Sequence, residues 1–222
     1  MPGHFYGDGV SWLDTGLNNK QLRDIGLITI MWNAAEFDLQ ELIYVVAGWS
    51  PWQSQLVTAD MGNVSQVKLA LNLLRQGYNH ERLMQDVERA IQFFDQCRMR
   101  RNALVHGTPV VDDNDKLSGR LARFEAKAGS GKVKVSHINA SNTFLEEMIA
   151  DVWLCRMALT DAYHKVTRFR RHARGKALPL APEVEAKIFD YSDAPLDIEH
   201  LQTRLGLLRS QPPSESKHIG PP

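Results

Sequence analysis

Apolar residues recur at steps of three and four along four long stretches of this chain, a period that predicts four amphipathic helices. The first runs from about Lys20 to Ala47, with Leu22, Ile25, Ile28, Trp32, Ala35, Leu39, Leu42 and Val46 on one stripe. Gly48 stands where a helix end favours a left-handed residue. Trp49-Ser50-Pro51-Trp52 predicts a loop, and a second helix follows over Ser65 to Gln76, ending near Gly77. The third begins after Asn79, a favourable N-cap, with Glu81 in its first turn, and it ends at Gly107. Its apolar stripe is Leu83, Val87, Ala90, Phe94 and Cys97. The fourth begins at Ser141 or Asn142, carries Leu145, Ile149, Val152, Cys155, Leu159, Ala162, Val166 and Phe169, and stops at Gly175.

Between the third and fourth helices the period falls from 3.6 to 2. Leu121, Arg123 and Glu125 alternate on one side, as do Val133, Val135 and His137, with Gly129-Ser130-Gly131 between them as a turn. The pattern predicts a β-hairpin over about 115–139. After Lys176 the composition shifts to Pro, Ser and Asp, and periodicity fades apart from a short amphipathic piece around Leu196 to Leu208. The expected fold class is all-α: a helical bundle of four long helices with an inserted β-hairpin and a flexible C-terminal tail. Residues 1–176 form one helical domain, and residues 177–222 form a Pro-rich, partly disordered tail.

Composition narrows the functional classes. A chain of 222 residues with 43% apolar content supports one core, with little left for a second domain. The formal net charge is zero, so any attraction for nucleic acid must be local. Cys97 and Cys155 lie on apolar stripes and read as reduced core thiols, in keeping with a cytoplasmic protein. The stretch from Met1 to Gly16 has no secretory pattern, and Ile25 to Ala35 is too short and polar to span a bilayer, so no membrane partner is expected. No cofactor is implied. Gly129-Ser130-Gly131-Lys132 imitates the end of a phosphate-binding loop, but Ala126 and Val133 stand at positions that motif reserves for Gly and Ser/Thr. No His or Cys pair has zinc-like spacing, so no metal site is expected.

The chemistry concentrates at the end of the third helix, in Arg101-Asn102-Ala103-Leu104-Val105-His106-Gly107. Continuing that helix's apolar face by threes and fours lands on Arg101. A guanidinium on a packed face costs several kcal/mol unless it is paired or lines a wet cleft. Five residues on stands His106, and histidine is the side chain suited to proton transfer near neutral pH. An inward arginine near a histidine suits a phosphate-handling site, and a capping histidine with a paired arginine is the plainer alternative. Asn102 and His106 share a helix face, whereas Arg101 lies roughly 140° from His106. One helix aims both at the same atom only if its end unwinds; otherwise a second copy across a twofold axis supplies the missing group.

Arg101-Asn102-x-x-x-His106, placed at the end of a third long helix, resembles the motif of the HEPN superfamily of helical RNases. The runs Ile91-Gln92-Phe93-Phe94 to Arg100 and Leu104-Val105-His106-Gly107 are also similar to members of that family. The likeness covers roughly residues 20–175. It implies metal-independent cleavage of RNA in a cleft between two subunits of a homodimer, with Arg101, Asn102 and His106 catalytic, in a toxin–antitoxin, defence or RNA-processing role. An antitoxin or regulatory protein is then an expected partner. Thr108 stands where members paired with a nucleotidyltransferase antitoxin carry tyrosine, which argues against that form of control. Some proteins with this fold are non-catalytic modules that bind nucleotide, RNA or protein, and that is the alternative reading.

Two further groups are candidates. Thr29, Asn33, Glu36 and Gln40 form a polar stripe on the first helix, and Glu36, supported by Asn33, is placed to pair with Arg101 across the core. Lys165, Arg168, Arg170, Arg171, Arg174 and Lys176 crowd the end of the fourth helix. Part of that charge complements the helix dipole, and Lys165, Arg168, Arg171 and Arg174 are the expected RNA-binding residues. Trp49 and Trp52 are candidates for base stacking or, equally, core lids.

Overall fold

The computed structural model describes residues 16–111, 117–126, 133–173, 179–189, 203–204 and 216–219. The four predicted long helices are α1 (Asn19–Ala47), α3 (Asn63–Gly77), α4 (Glu81–Val105) and α5 (Asn142–His172). Two short helices, α2 (Pro51–Thr58) and α6 (Pro182–Phe189), accompany them. α1 opens with a capping box: Asn18 Oδ1 accepts from Gln21 N–H at 2.9 Å, and Gln21 Oε1 accepts from Asn18 N–H at 2.7 Å. It closes at Gly48, whose φ of 71° lies in the left-handed region, with Gly48 N–H donating to Tyr44 O at 3.0 Å.

Two boundaries differ from the sequence reading. Ser50 and Gln53 form a second capping box with Pro51 at the first helical position, so the stretch expected as a loop instead starts α2. Proline breaks helix interiors but suits a first turn, where its missing N–H has no partner to lose. The N-cap of α4 is His80 rather than Asn79; His80 Nδ1 accepts from Leu83 N–H at 3.3 Å.

α1 and α4 occupy opposite corners of the bundle, each packed against both α3 and α5. Trp32, Leu39, Leu83, Phe93, Phe94 and Leu159 are fully buried at its centre, with the Trp32 and Phe94 rings stacked 4.7 Å apart. Each such side chain contributes about 1.5–3 kcal/mol by burial. α1 and α5 run in the same direction: Lys20 meets Glu146 at 2.9 Å, Asp38 meets Arg156 at 2.8 Å, and Val45 O accepts from Arg170 at 2.8 Å. α4 runs against them, Asp86 lying beside Lys165 and Arg100 beside Asp151. The predicted α1 stripe holds from Ile28 onward, while Leu22 is 43% exposed. Asp24 takes the inward place in that turn, bonded to Lys20 at 2.7 Å.

A four-stranded antiparallel sheet closes the end of the bundle where α4 stops and α1 and α5 start. Its order is β1 (Thr108–Val111), β2 (Leu117–Ala126), β3 (Val133–Asn139) and β4 (Ser216–Ile219). The predicted hairpin is β2–β3, in register at Leu121↔Ile138; its turn lies outside the described residues. Leu121 and Ile138 join Ile28, Leu104, Ala140, Leu145 and Met148 in a second apolar cluster. The C-terminal stretch contributes more than a tail. Ile188 and Phe189 of α6 are buried on the bundle, Phe189 stacks on His80 at 5.2 Å, and the Arg82 guanidinium lies 4.5 Å above its ring. β4 extends the sheet beside β3.

Candidate active site

The α4 stripe is buried from Leu83 through Cys97, and burial resumes at Leu104 in the second cluster. Arg101 sits between the two, partly buried. Its Nε is shut off from solvent with no hydrogen-bond partner, and its Nη1 donates to Asn102 Oδ1 at 3.2 Å. Neighbouring arginines are paired with acids: Arg98 with Asp95 at 2.8 Å, Arg89 with Asp86 at 3.2 Å, Arg100 with Asp151. Among the described residues no carboxylate pairs with Arg101. A guanidinium in that condition retains capacity for an anion.

His106 is exposed and caps α4, with φ −99° and ψ 9°. Its backbone N–H donates to Asn102 O at 3.1 Å, so the helical ladder is intact up to His106. The angular offset between Arg101 and His106 therefore persists within one chain. Gly107 then carries the backbone hard against β2: a β-carbon there lies 2.7 Å from Leu121 Cβ. Only glycine fits this joint, and it fixes how the motif leaves the helix and enters β1.

Glu36 does not pair with Arg101, contrary to expectation. It accepts from Trp32 Nε1 and from Asn63 Nδ2, the latter at 2.6 Å. The physical reason is local. Trp32 is fully buried and its indole N–H needs an acceptor, which a carboxylate one turn later supplies. Asn33 is exposed, and the Thr29 hydroxyl donates to Ile25 O at 2.9 Å.

Of the described basic residues at the end of α5, Lys165, Arg168 and Arg170 are engaged inside the fold. Lys165 is 5% exposed and lies between Asp86 at 2.7 Å and Asp161 at 2.8 Å, so its assignment to an RNA surface is corrected to a buried ion pair. Arg168 Nη1 donates to Ile188 O at 3.0 Å and holds α6, whose last-turn carbonyl needs a donor. Arg170 Nη1 donates to Val45 O beside Gly48. Arg171 is exposed, and Arg174 lies outside the described residues. Trp49 packs against the core, as a lid does, and Trp52 is 67% exposed.

A charge cluster beside the motif escaped the sequence reading. Asp151 of α5 is 3% exposed and takes Arg100 on one side and Arg204, from the C-terminal stretch, on the other. The signal was present: Met148, Asp151 and Cys155 are spaced by three and four, which puts a carboxylate on the apolar stripe of α5. Cys97 and Cys155 are free and buried, and burial pushes the Cys155 thiol well above its usual value, with the Cys97 thiol beside it adding to the shift. Such thiols are inert. Among the described residues no group of three His, Cys, Asp or Glu side chains is placed to hold a metal, and no helix is long and apolar enough to cross a membrane. Comparison of the chain with protein-family models, curated proteins and solved structures finds no match.

Proposed function

We propose that the end of α4 binds and cleaves an RNA phosphodiester without a metal, with two copies of the chain pooling their motifs. Arg101 is the observation that carries this reading: a half-buried guanidinium with an orphaned Nε and, among the described residues, no carboxylate partner, five residues from an exposed histidine. The planar fork of arginine suits two oxygens of a phosphoryl group. The offset between Arg101 and His106, with the ladder intact between them, favours a site completed by a second copy.

The reaction follows from the side chains. One His106 accepts the proton of the ribose 2′-hydroxyl as that oxygen attacks phosphorus. The 5′-oxygen leaves and takes a proton from the second His106, giving a 2′,3′-cyclic phosphate and a free 5′-hydroxyl. Arg101 stabilises the charge that gathers on the non-bridging oxygens. Asn102, which shares a face with His106 and touches Arg101, orients both groups. General acid–base chemistry supplies about 10²–10⁴-fold, so Arg101 carries a comparable part. The test is cleavage of RNA in EDTA by the purified parent, Arg101→Ala and His106→Ala, with folding checked by circular dichroism. The expected result is cleavage by the parent alone; equal rates in all three sink the proposal, and RNA binding without cleavage favours a non-catalytic module.

A further inference from the structure

We infer that Arg204, about a hundred residues beyond the motif, is a positioning residue for it. The inference rests on the phosphate-handling reading of α4. Arg204 grips Asp151 with two nitrogens, Nε to Oδ1 at 2.5 Å and Nη2 to Oδ2 at 3.0 Å, and reaches Glu147 Oε2 at 3.3 Å. Arg100 closes the cluster from α4: Nη1 bonds Asp151 Oδ2, and Nη2 lies 3.9 Å from Glu147 Oε2. The Arg100 guanidinium also lies 5.1 Å above the Phe144 ring. Asp151, Arg100 and Arg204 are poorly solvated, their side chains 4%, 14% and 18% exposed, while Glu147 lies at the open edge of the cluster, 43% exposed.

This cluster has two consequences for Arg101, the next residue along α4. Arg100 is held by a carboxylate and by an aromatic face, which fixes the backbone turn that aims Arg101. Asp151 is also saturated by Arg100 and Arg204, so it does not compete with a phosphate for the Arg101 fork. Without Arg204, two carboxylates face one guanidinium, and the surplus negative charge sits at Arg100, the residue before Arg101 on α4. Poorly solvated charge of that kind is weakly screened. Arg204 belongs to the short amphipathic piece read from the sequence, and it rests on the chain's own α5.

The test uses the full chain as parent, Arg204→Gln and Arg204→Lys, with two readouts. In RNA cleavage, Arg204→Gln is expected to lower kcat/KM about tenfold, with KM raised because the freed Asp151 carboxylate competes with the phosphate for Arg101. Arg204→Lys, which keeps the charge but not the fork, recovers to within about threefold of the parent. In NMR titration with inorganic phosphate, the Arg101 Nε–H and His106 ring signals of the parent respond, and Arg204→Gln weakens that response. If the parent cleaves and Arg204→Gln matches it, the inference falls and the reading of α4 survives. If Arg204→Lys is no better than Arg204→Gln, Arg204 serves only the fold. A parent that neither cleaves RNA nor answers phosphate overturns the reading of α4 and this inference with it.

Discussion

At Gly107 a side chain has nowhere to go, because the first carbon meets Leu121 Cβ at 2.7 Å and Ala103 O at 3.2 Å. Gly107→Ala is expected to cost about 1–3 kcal/mol as overpacking, read as a lower urea midpoint with an unchanged slope. Lys165 belongs at the same scale. Lys165→Met leaves Asp86 and Asp161 without their shared cation and is expected to destabilise by about 3 kcal/mol, again by urea unfolding. RNA affinity compared at equal folded fraction should not fall; a loss confined to RNA binding would return Lys165 to the surface role. The two residues show what a sequence reveals at this scale. Gly107 was legible as a stop, since glycine ends helices. Lys165 was not, because a cation at the end of a basic helix reads as surface until its two acids, one of them 79 positions away, are seen beside it. Arg101 was legible because it interrupts an apolar stripe, and Asp151 interrupts its own stripe in the same way.

Helices declared themselves by local period, so α1, α3, α4 and α5 were readable, while the N-cap of α4 was read one residue early. α2 was missed because a Ser-Pro pair marks a turn and a helix start with equal force. The β2–β3 hairpin was readable from alternation, whereas β1 is only four residues long and β4 pairs across a long separation that no local pattern encodes. The start of α1 carries a pH prediction. Lys20 bonds Asp24 at 2.7 Å and Glu146 at 2.9 Å, tying the first turns of α1 and α5 together. The hydrogen bond from Lys20 holds Asp24 below the usual carboxylate range, and the bond to Asp24 raises Lys20. A depressed folded value means that the stability from Asp24 is present above the unfolded carboxylate range and is lost as pH falls through the folded value. The Lys20 share is present at neutral pH and is lost only as pH rises through its raised folded value. Asp24→Asn should therefore melt below the parent at neutral pH, and the gap should shrink as pH falls through the folded value of Asp24. A gap that keeps its size as the solution is acidified rules out the ion pair as its cause.

For the molecule as a whole, two apolar clusters meet where α4 gives way to β1, and Arg101, Asn102 and His106 sit at that junction. The sheet and α5 hold the end of α4 in place; Arg204 joins Arg100 on Asp151, while β4 lies at the far edge of the sheet from β1. The formal net charge of zero puts no long-range repulsion between two copies. What the sequence could not supply was the surroundings of Arg101: Glu36, the partner expected for it, serves Trp32 and Asn63 instead. The account stands or falls on whether two chains share the chemistry, and mixing subunits tests that most directly. Parent protein is re-equilibrated with a growing excess of His106→Ala, and RNA cleavage in EDTA is followed per mole of parent. Pooled sites predict that activity per parent chain collapses as mixed dimers replace parent dimers. Cleavage that stays constant per parent chain, or a parent that cuts no RNA at all, contradicts it.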